Sequence, residues 1–317
     1  MVERVKSRRA FSASSRSKFI KKDKEGVAST VGTIMALLVF LTFLTMFTNT
    51  YIPIWMKENE KNHMDVVLNQ FGDLKGKVDS LVVNAQVTGR PTINMYQPIT
   101  LGSDGVPVFA TATAGYLWVK SVGTYDSRVS LSFNYSLGAT DIPYTGDIGG
   151  GCVEFYGPNR YYVQQWYCYE NGALLIYQQD GMAMRATPTL DFVKNTDSIS
   201  VFFDEVDVLG RNNTIGGTGS AGLALDLIVH DTQSYTVNGN VPFVMTFTTR
   251  YNTTWINYLE ESLKAEGLVE GVGNDYTLEW ATVPSNEYRQ IYTITLTLND
   301  VYQFVHGRSY VAIDLEY

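Results

Sequence analysis

A run of 30 residues without a charged side chain, Val27 to Met56, limits what this chain can fold into more than any other feature. Its first 21 residues, Val27 to Phe47, would form a helix about 31 Å long, which matches the hydrocarbon core of a bilayer. A core helix of a soluble protein does not need this length without charge, and no small-x-small cleavage site of a secretory signal follows Phe47. The run therefore predicts a transmembrane helix over residues 27–56.

The charges on the two sides of this run predict its orientation. Residues 1–26 carry nine Lys/Arg and three acidic residues, whereas the two lysines and two glutamates of residues 57–61 cancel. The positive-inside bias then predicts a single-pass protein of the cell membrane, with a basic cytoplasmic leader (1–26) and an extracellular main domain. The remaining 291 residues have a net charge of −14, which argues against nucleic acid as a partner.

The junction between leader and helix carries a family resemblance. The stretch Lys21-Lys22-Asp23-Lys24-Glu25-Gly26 is followed at once by the apolar VASTVGTI of residues 27–34. This pattern resembles the class III signal peptide of archaeal type IV pilins and archaellins over about residues 18–60. The resemblance implies that a prepilin peptidase cuts between Gly26 and Val27, and that the helix stays as a bilayer anchor or packs with other pilin-like subunits. Bacterial-type pilins have Glu five residues after the cut, where this chain has Val31.

The pattern of residues 57–88 predicts a second helical segment, an extracellular stalk that separates the rest of the protein from the membrane surface. Apolar residues recur there at alternating spacings of three and four, at Met64, Val67, Phe71, Leu74, Val78 and Leu81. This stripe packs either on the protein's own distal domain or on other subunits as a coiled coil or filament contact. Pro53 predicts a bend or a break between the two helical segments.

From residue 89 to 317 the pattern changes to short β-branched and aromatic segments that alternate with polar residues. Asn171-Gly172, Asp180-Gly181 and Asn238-Gly239 predict tight hairpins. A single helix is predicted over Trp255–Glu266, capped by Thr253 or Thr254 and ended by Gly267. The predicted fold is a long N-terminal hydrophobic helix followed by a mainly antiparallel, sandwich-like β domain with one short helix. Within it, Tyr167–Phe192 is similar to a recurring piece of uncharacterised archaeal pilin-like surface proteins.

Two kinds of covalent modification are predicted outside the cell. Cys152 and Cys168 enclose 15 residues, and a disulfide between them would contribute about 3 kcal/mol by the chain-entropy estimate. Two buried free thiols are the alternative. Three N-x-S/T sequons, at Asn134, Asn212 and Asn252, follow the membrane segment and predict glycosylation.

Catalytic and cofactor motifs give no positive signal. Gly217–Gly222 matches G-x-G-x-x-G, but a strand-like segment follows it where a dinucleotide site requires a helix. Asp204, Glu205 and Asp207 could offer oxygen ligands to a cation, but the spacing of an EF-hand is missing. His230 and His306 have no adjacent nucleophile motif. We therefore expect no enzyme activity, no metal and no cofactor.

Two functions remain open. The first is a membrane-anchored, pilin-like surface protein with a structural or adhesive role. The second is a tethered module that binds a carbohydrate or another substrate, because Tyr156, Trp166 and the tyrosines at 161, 162, 167 and 169 could stack on sugars. The same aromatic residues could equally form an ordinary core. An exposed aromatic platform in the structure would favour the binding module.

Overall fold

The structure is a computed structural model and describes residues 24–89, 94–124, 126–146, 149–238, 241–285 and 289–316. The chain separates into two compact units, residues 1–51 and residues 52–317. In the first unit every described residue, from 24 to 51, is helical. Most of the predicted leader, residues 1–23, lies outside the described residues.

The N-terminal helix, α1, runs from Lys24 to Thr88 and continues through Pro53, so the break considered at this proline is absent. Its most apolar window has a mean hydropathy of 2.2, and none of that window is buried. Length and composition therefore make α1 long and apolar enough to cross a membrane. This confirms the predicted long hydrophobic helix at the N-terminus.

In the second unit, the later part of α1 is a core element of the β domain. The predicted apolar stripe from Met64 to Leu81 is at most 2% exposed at each of its six positions. It packs on residues from two sheets in one continuous hydrophobic cluster. Of the two predicted alternatives, the structure therefore shows the apolar stripe packed on the protein's own β domain. From Ile52 onward the helix belongs to the same compact unit as the β domain, so the segment 57–88 lies within that unit.

The strands and the second helix follow in chain order. In the described part of the chain they are β1 (Met95–Thr100), β2 (Gly115–Lys120), β3 (Arg128–Leu137), β4 (Thr140–Thr145), β5 (Gly149–Gly150), β6 (Cys152–Gly157), β7 (Gln165–Glu170), β8 (Ala173–Gln178), β9 (Gly181–Ala186), β10 (Thr189–Lys194), β11 (Ile199–Leu209), β12 (Asn213–Gly217), β13 (Ser220–Thr236), β14 (Phe243–Thr249), α2 (Asn252–Ala265), β15 (Tyr276–Val283), β16 (Ile291–Leu298) and β17 (Val301–Glu316).

These strands form three sheets. The first has the order β1-β13-β17-β11-β10, the second β12-β2-β6-β7-β8-β9, and the third β15-β16-β14-β3-β4 with β5 paired to β3. Among the described strands, β11 and β17 form the one parallel pair. The predicted mainly antiparallel β domain with one short helix is therefore confirmed.

Two hydrophobic clusters hold the sheets together. One lies between α1, the first sheet and one face of the second sheet, and includes Phe71, Phe155 and Tyr167. The other joins the third sheet and α2 to the remaining parts of the first two sheets, and includes Phe203, Phe247 and Trp255. The second sheet therefore contributes apolar residues on both of its faces, as expected for a strand layer between two others.

The short helix α2 starts earlier than predicted. It begins at Asn252 with Tyr251 as the N-cap residue, and no side chain caps it, so the predicted threonine caps are wrong. Its end is as predicted, because Gly267 has φ +72° and donates its N–H to the Lys264 carbonyl. The Asn171-Gly172 hairpin between β7 and β8 is also confirmed, with positive φ at both residues. The Asn238-Gly239 turn falls partly outside the described residues.

The two cysteines are buried free thiols, so the structure lacks the predicted disulfide. Cys152 lies opposite Glu170 and Cys168 lies opposite Glu154, which makes the cysteines diagonal neighbours on β6 and β7. The two thiols lie within hydrogen-bond reach of each other. Burial raises the pKa of the Cys168 thiol well above its usual value and so keeps it protonated.

Candidate functional site

A row of aromatic side chains crosses four neighbouring strands of the second sheet. The strand register places Tyr116 opposite Tyr156, Tyr156 opposite Trp166, and Trp166 opposite Tyr177. We call these four residues the aromatic ladder. Because alternate residues of a strand share a face, Trp118 of β2 lies on the same face, next to Tyr116.

The rings of the ladder are in direct contact. Tyr156 and Trp166 stack with centroids 4.2 Å apart and planes 13° from parallel. Tyr116 stacks on Tyr156 at 6.4 Å and on Trp118 at 5.9 Å, whereas Tyr177 meets Trp166 edge-on at 5.2 Å. Tyr116 is 41% exposed. Trp118, Tyr156 and Tyr177 are half-buried and Trp166 is 8% exposed, so this face offers solvent a partly open aromatic surface that cross-strand pairs hold in place.

Five charged side chains border the ladder and form a network that we call the charged cluster. Lys120 Nζ lies 2.6 Å from Asp126 Oδ2 and 2.9 Å from Glu154 Oε2. Arg250 Nε donates to Asp126 Oδ2 at 2.9 Å, and Arg289 Nη1 donates to Glu154 Oε1 at 2.6 Å. Among the described residues, the cluster thus holds three cations and two carboxylates, within a domain that is acidic overall.

Glu154 is the buried centre of this cluster. Burial works to raise the pKa of its carboxyl, but the attraction of Lys120 and Arg289 prevails and lowers that pKa to about 2. Tyr251 also donates its hydroxyl to Glu154 Oε1 at 2.7 Å. Glu154 therefore stays ionised at neutral pH and fixes the positions of the cations around it.

Arg289 links the cluster to the ladder. Its guanidinium carbon lies 4.4 Å from the ring centre of Tyr177, 4.6 Å from that of Tyr251 and 5.2 Å from that of Trp166. Arg289 is 9% exposed, and its Nη2 atom has no hydrogen-bond partner among the described residues. An unpaired, buried guanidinium donor beside an open recess is suited to an acceptor oxygen of a ligand.

Two adjoining recesses open over these residues. One, of about 530 Å³, is lined by Trp118, Lys120, Glu154, Tyr156, Trp166, Arg250 and Arg289. The other, of about 410 Å³, shares Trp166, Arg250 and Arg289 and extends past Tyr177 to Met182 and Tyr292. We call the two recesses together the cleft. Their volumes are in the range of small-ligand sites.

The aromatic residues singled out in the sequence separate into three groups. Tyr156 and Trp166 line the cleft, whereas Tyr167 and Tyr169 point to the opposite face of the sheet and are buried in the core. Tyr161 and Tyr162 lie in a loop whose backbone N–H groups donate to Glu60 Oε2 of α1, both at 2.7 Å. Sequence reasoning missed Tyr116, Trp118, Tyr177 and Arg289, although the alternation of Tyr116 and Trp118 on one strand was a usable signal.

The carboxylates considered as cation ligands have partners within the protein: Asp204 Oδ2 accepts from Gln86 Nε2 at 3.4 Å, and Arg308 Nε lies 3.8 Å from Glu205 Oε2. Glu205 Oε2 lies 3.0 Å from His306 Nε2, and Asp207 Oδ2 accepts from Arg308 Nε at 2.6 Å. Within the described residues, no group of three or more His, Cys, Asp or Glu side chains could hold a metal ion. His230 Nδ1 lies 2.9 Å from Ser309 Oγ, but Ser309 is fully buried, so no substrate can reach this hydroxyl.

The remaining predicted sites occupy ordinary positions. Gly26 and Val27 lie within α1. Asn134 lies in β3, Asn212 is exposed next to β12, and Asn252 is the first residue of α2. Gly217–Gly222 leads from β12 into β13, which confirms that no helix follows this motif. Cleavage and glycosylation stay predictions.

Comparison with models of protein families, with curated proteins and with solved structures gives no match for this chain.

Proposed function

We propose that this protein is a membrane-anchored cell-surface protein whose β domain binds a saccharide in the cleft, which gives it an adhesive role. The observation that carries the proposal is the aromatic ladder, a platform of contacting rings that is partly open to solvent and lines the cleft. Flat aromatic faces stack on the apolar faces of sugar rings, and nearby polar groups fix the orientation of the ligand. Nucleobases stack as well, but the acidic domain would repel a nucleic-acid backbone.

The charged cluster supports a narrower ligand class, a saccharide that carries a carboxylate. Arg289 offers an Nη2 donor that has no hydrogen-bond partner among the described residues, and three of the five charged side chains described in the cluster are cations. A guanidinium recognises a carboxylate through charge-assisted hydrogen bonds. A uronic acid would thus stack on the rings while its carboxylate approaches Arg289, after a small shift of the side chains that cover Nη2.

The test is calorimetric titration of the full-length protein in nanodiscs with neutral hexose oligosaccharides and with the corresponding uronic acids. We expect the uronic acids to bind more tightly, with an affinity that falls as salt rises. Trp118→Ala should weaken binding about tenfold or more, because it removes a ring from the platform. Tyr302→Ala is the matched control, because Tyr302 is 60% exposed and lies outside the cleft.

Two results would contradict the proposal. Absence of binding by every oligosaccharide at millimolar concentration would remove the saccharide function. Equal affinity of Trp118→Ala and the wild type would show that the ladder is not the binding surface. Equal affinity for neutral and acidic sugars would remove only the preference for a carboxylate.

A pilin-like subunit is a second candidate, favoured by the apolar residues of α1 from 27 to 47, which are largely exposed. After cleavage by a prepilin peptidase, this surface would pack either in lipid or against the same surface of other subunits. Disulfide cross-linking of a Leu38→Cys variant in native membranes distinguishes the two. Disulfide-linked dimers would support packing of α1 against other subunits, and monomers alone would support a plain anchor.

A further inference from the structure

A short loop presents apolar side chains to solvent at one end of the second unit. Val106 and Ala110 exchange two backbone hydrogen bonds of 2.9 Å, which close the loop and place Pro107, Val108 and Phe109 at its tip. Val108 is fully exposed and Phe109 is 47% exposed. Val108 also has φ +70°, a left-handed conformation that a β-branched residue rarely adopts. Exposed apolar residues held in such a conformation call for a functional explanation.

The loop is attached to α1 immediately after the uncharged run. Asn59 Nδ2 donates to the Asp104 carbonyl at 3.1 Å, and Asn59 is three residues beyond Met56, the last residue of that run. Three residues of helix correspond to about 5 Å. Just before this point, Ile54 and Trp55 are 57% and 46% exposed. The base of the loop is therefore attached at the first polar turn of α1.

The residues around the loop match the composition of a membrane interface. Arg160 Nη1 donates to Thr111 Oγ1 at 3.3 Å, so a cation lies beside the loop. Lys57 is exposed on the same turn of α1 as the attachment point, and Tyr161, next to Arg160, is 41% exposed. Apolar tips flanked by aromatic rings and by cations are typical of segments that lie in the headgroup region of a bilayer.

We propose that the tip formed by Val106–Phe109 inserts into the headgroup region of the leaflet from which α1 emerges. The inference rests on the membrane anchoring in the proposed function. It gives the β domain a second contact with the lipid, so the domain is held against the surface rather than carried away from it. The lipid is the occupant we favour, because the loop is attached to the first residues beyond the apolar run.

The test uses the full-length protein in liposomes of neutral phosphatidylcholine, with a polarity-sensitive fluorophore on one introduced cysteine. The native cysteines are buried, so they do not compete for the label in the folded protein. Three positions are compared: Val108→Cys at the tip, Leu38→Cys in the apolar run as the positive control, and Val272→Cys as the matched control. Val272 is 97% exposed, like Val108, but lies in the loop before β15.

With brominated lipids we expect quenching and a blue shift of the label at 38 and at 108, and neither at 272. If the label at position 38 is quenched while the label at position 108 behaves like the label at position 272, the loop does not touch lipid. The inference then fails, while the membrane anchoring stands. If 38 is not quenched either, the anchoring itself fails. A blue shift at 108 without quenching, which grows with the protein-to-lipid ratio, would assign the tip to a second copy of the chain and overturn the lipid contact.

Discussion

Glu170 illustrates how one residue can make the stability of this fold depend on pH. It is completely buried in β7, where its Oε1 accepts hydrogen bonds from Thr249 Oγ1 at 2.7 Å and from Trp255 Nε1 at 2.9 Å. Burial raises the pKa of its carboxyl to about 7, although these two hydrogen bonds oppose the shift. Asp126 and Glu154 add negative charge nearby and raise this pKa further.

The sign of the effect follows from proton binding. Between the unfolded pKa, near 4.5, and the folded pKa of about 7, the folded protein holds a proton that the unfolded chain has lost. The free energy of unfolding therefore falls as pH rises through this window, by on the order of 3 kcal/mol. Glu170→Gln keeps an acceptor oxygen for Thr249 and Trp255 and should remove this decline.

Urea unfolding of the wild type and of Glu170→Gln between pH 5 and pH 8 measures the difference directly. Asp207, whose pKa burial raises to about 6, is present in both proteins, so its contribution cancels in the comparison. Parallel pH profiles of the two proteins would contradict the assignment to Glu170.

At the scale of elements, the contact between α1 and the β domain depends on a buried carboxylate as well as on the apolar stripe. Glu60 is completely buried. It accepts the N–H groups of Arg160, Tyr161 and Tyr162 and the hydroxyl of Thr113, at 2.7–3.0 Å. One side chain of the helix thus satisfies three consecutive backbone donors of the loop between β6 and β7.

Glu60→Ala should lower the free energy of unfolding by about 2–4 kcal/mol, because it leaves these buried donors without an acceptor. The matched control is Glu58→Ala, two residues away on the exposed face of the same helix, which we expect to change stability by less than about 0.5 kcal/mol. Urea unfolding followed by tryptophan fluorescence measures both variants. Equal effects of the two substitutions would show that the helix-to-loop contact is unimportant.

At the scale of the whole molecule, the testable features are processing and orientation. Mass spectrometry of the protein from its native membrane should find Val27 as the first residue, because the charged leader meets the apolar run at that bond. Protease added to intact cells should degrade residues 57–317, because transfer of the basic leader (1–26) across the bilayer is unfavourable and the leader therefore stays in the cytoplasm. An intact N-terminus would reduce the chain to a plain anchor. If the β domain resists protease until the membrane is opened, the predicted orientation is wrong and the β domain lies on the cytoplasmic side.

The sequence determined those features that depend on neighbouring residues. The uncharged run of 27–56 defined the hydrophobic helix, the three-four spacing from Met64 to Leu81 defined its buried stripe, and alternating strands defined the β domain. Asn171-Gly172 and Gly267 were predictable because positive φ values are a local requirement that few residues meet.

Only the tertiary structure decided what these elements contact. Strand pairing placed Tyr116, Tyr156, Trp166 and Tyr177, up to 61 positions apart, in one ladder, and brought Arg289 over it. It also put Cys152 and Cys168 on a diagonal and packed the apolar stripe of α1 on the β domain. Register and sheet order depend on the packing of distant strands, so local pattern cannot specify them, and the candidate site arises entirely from that packing.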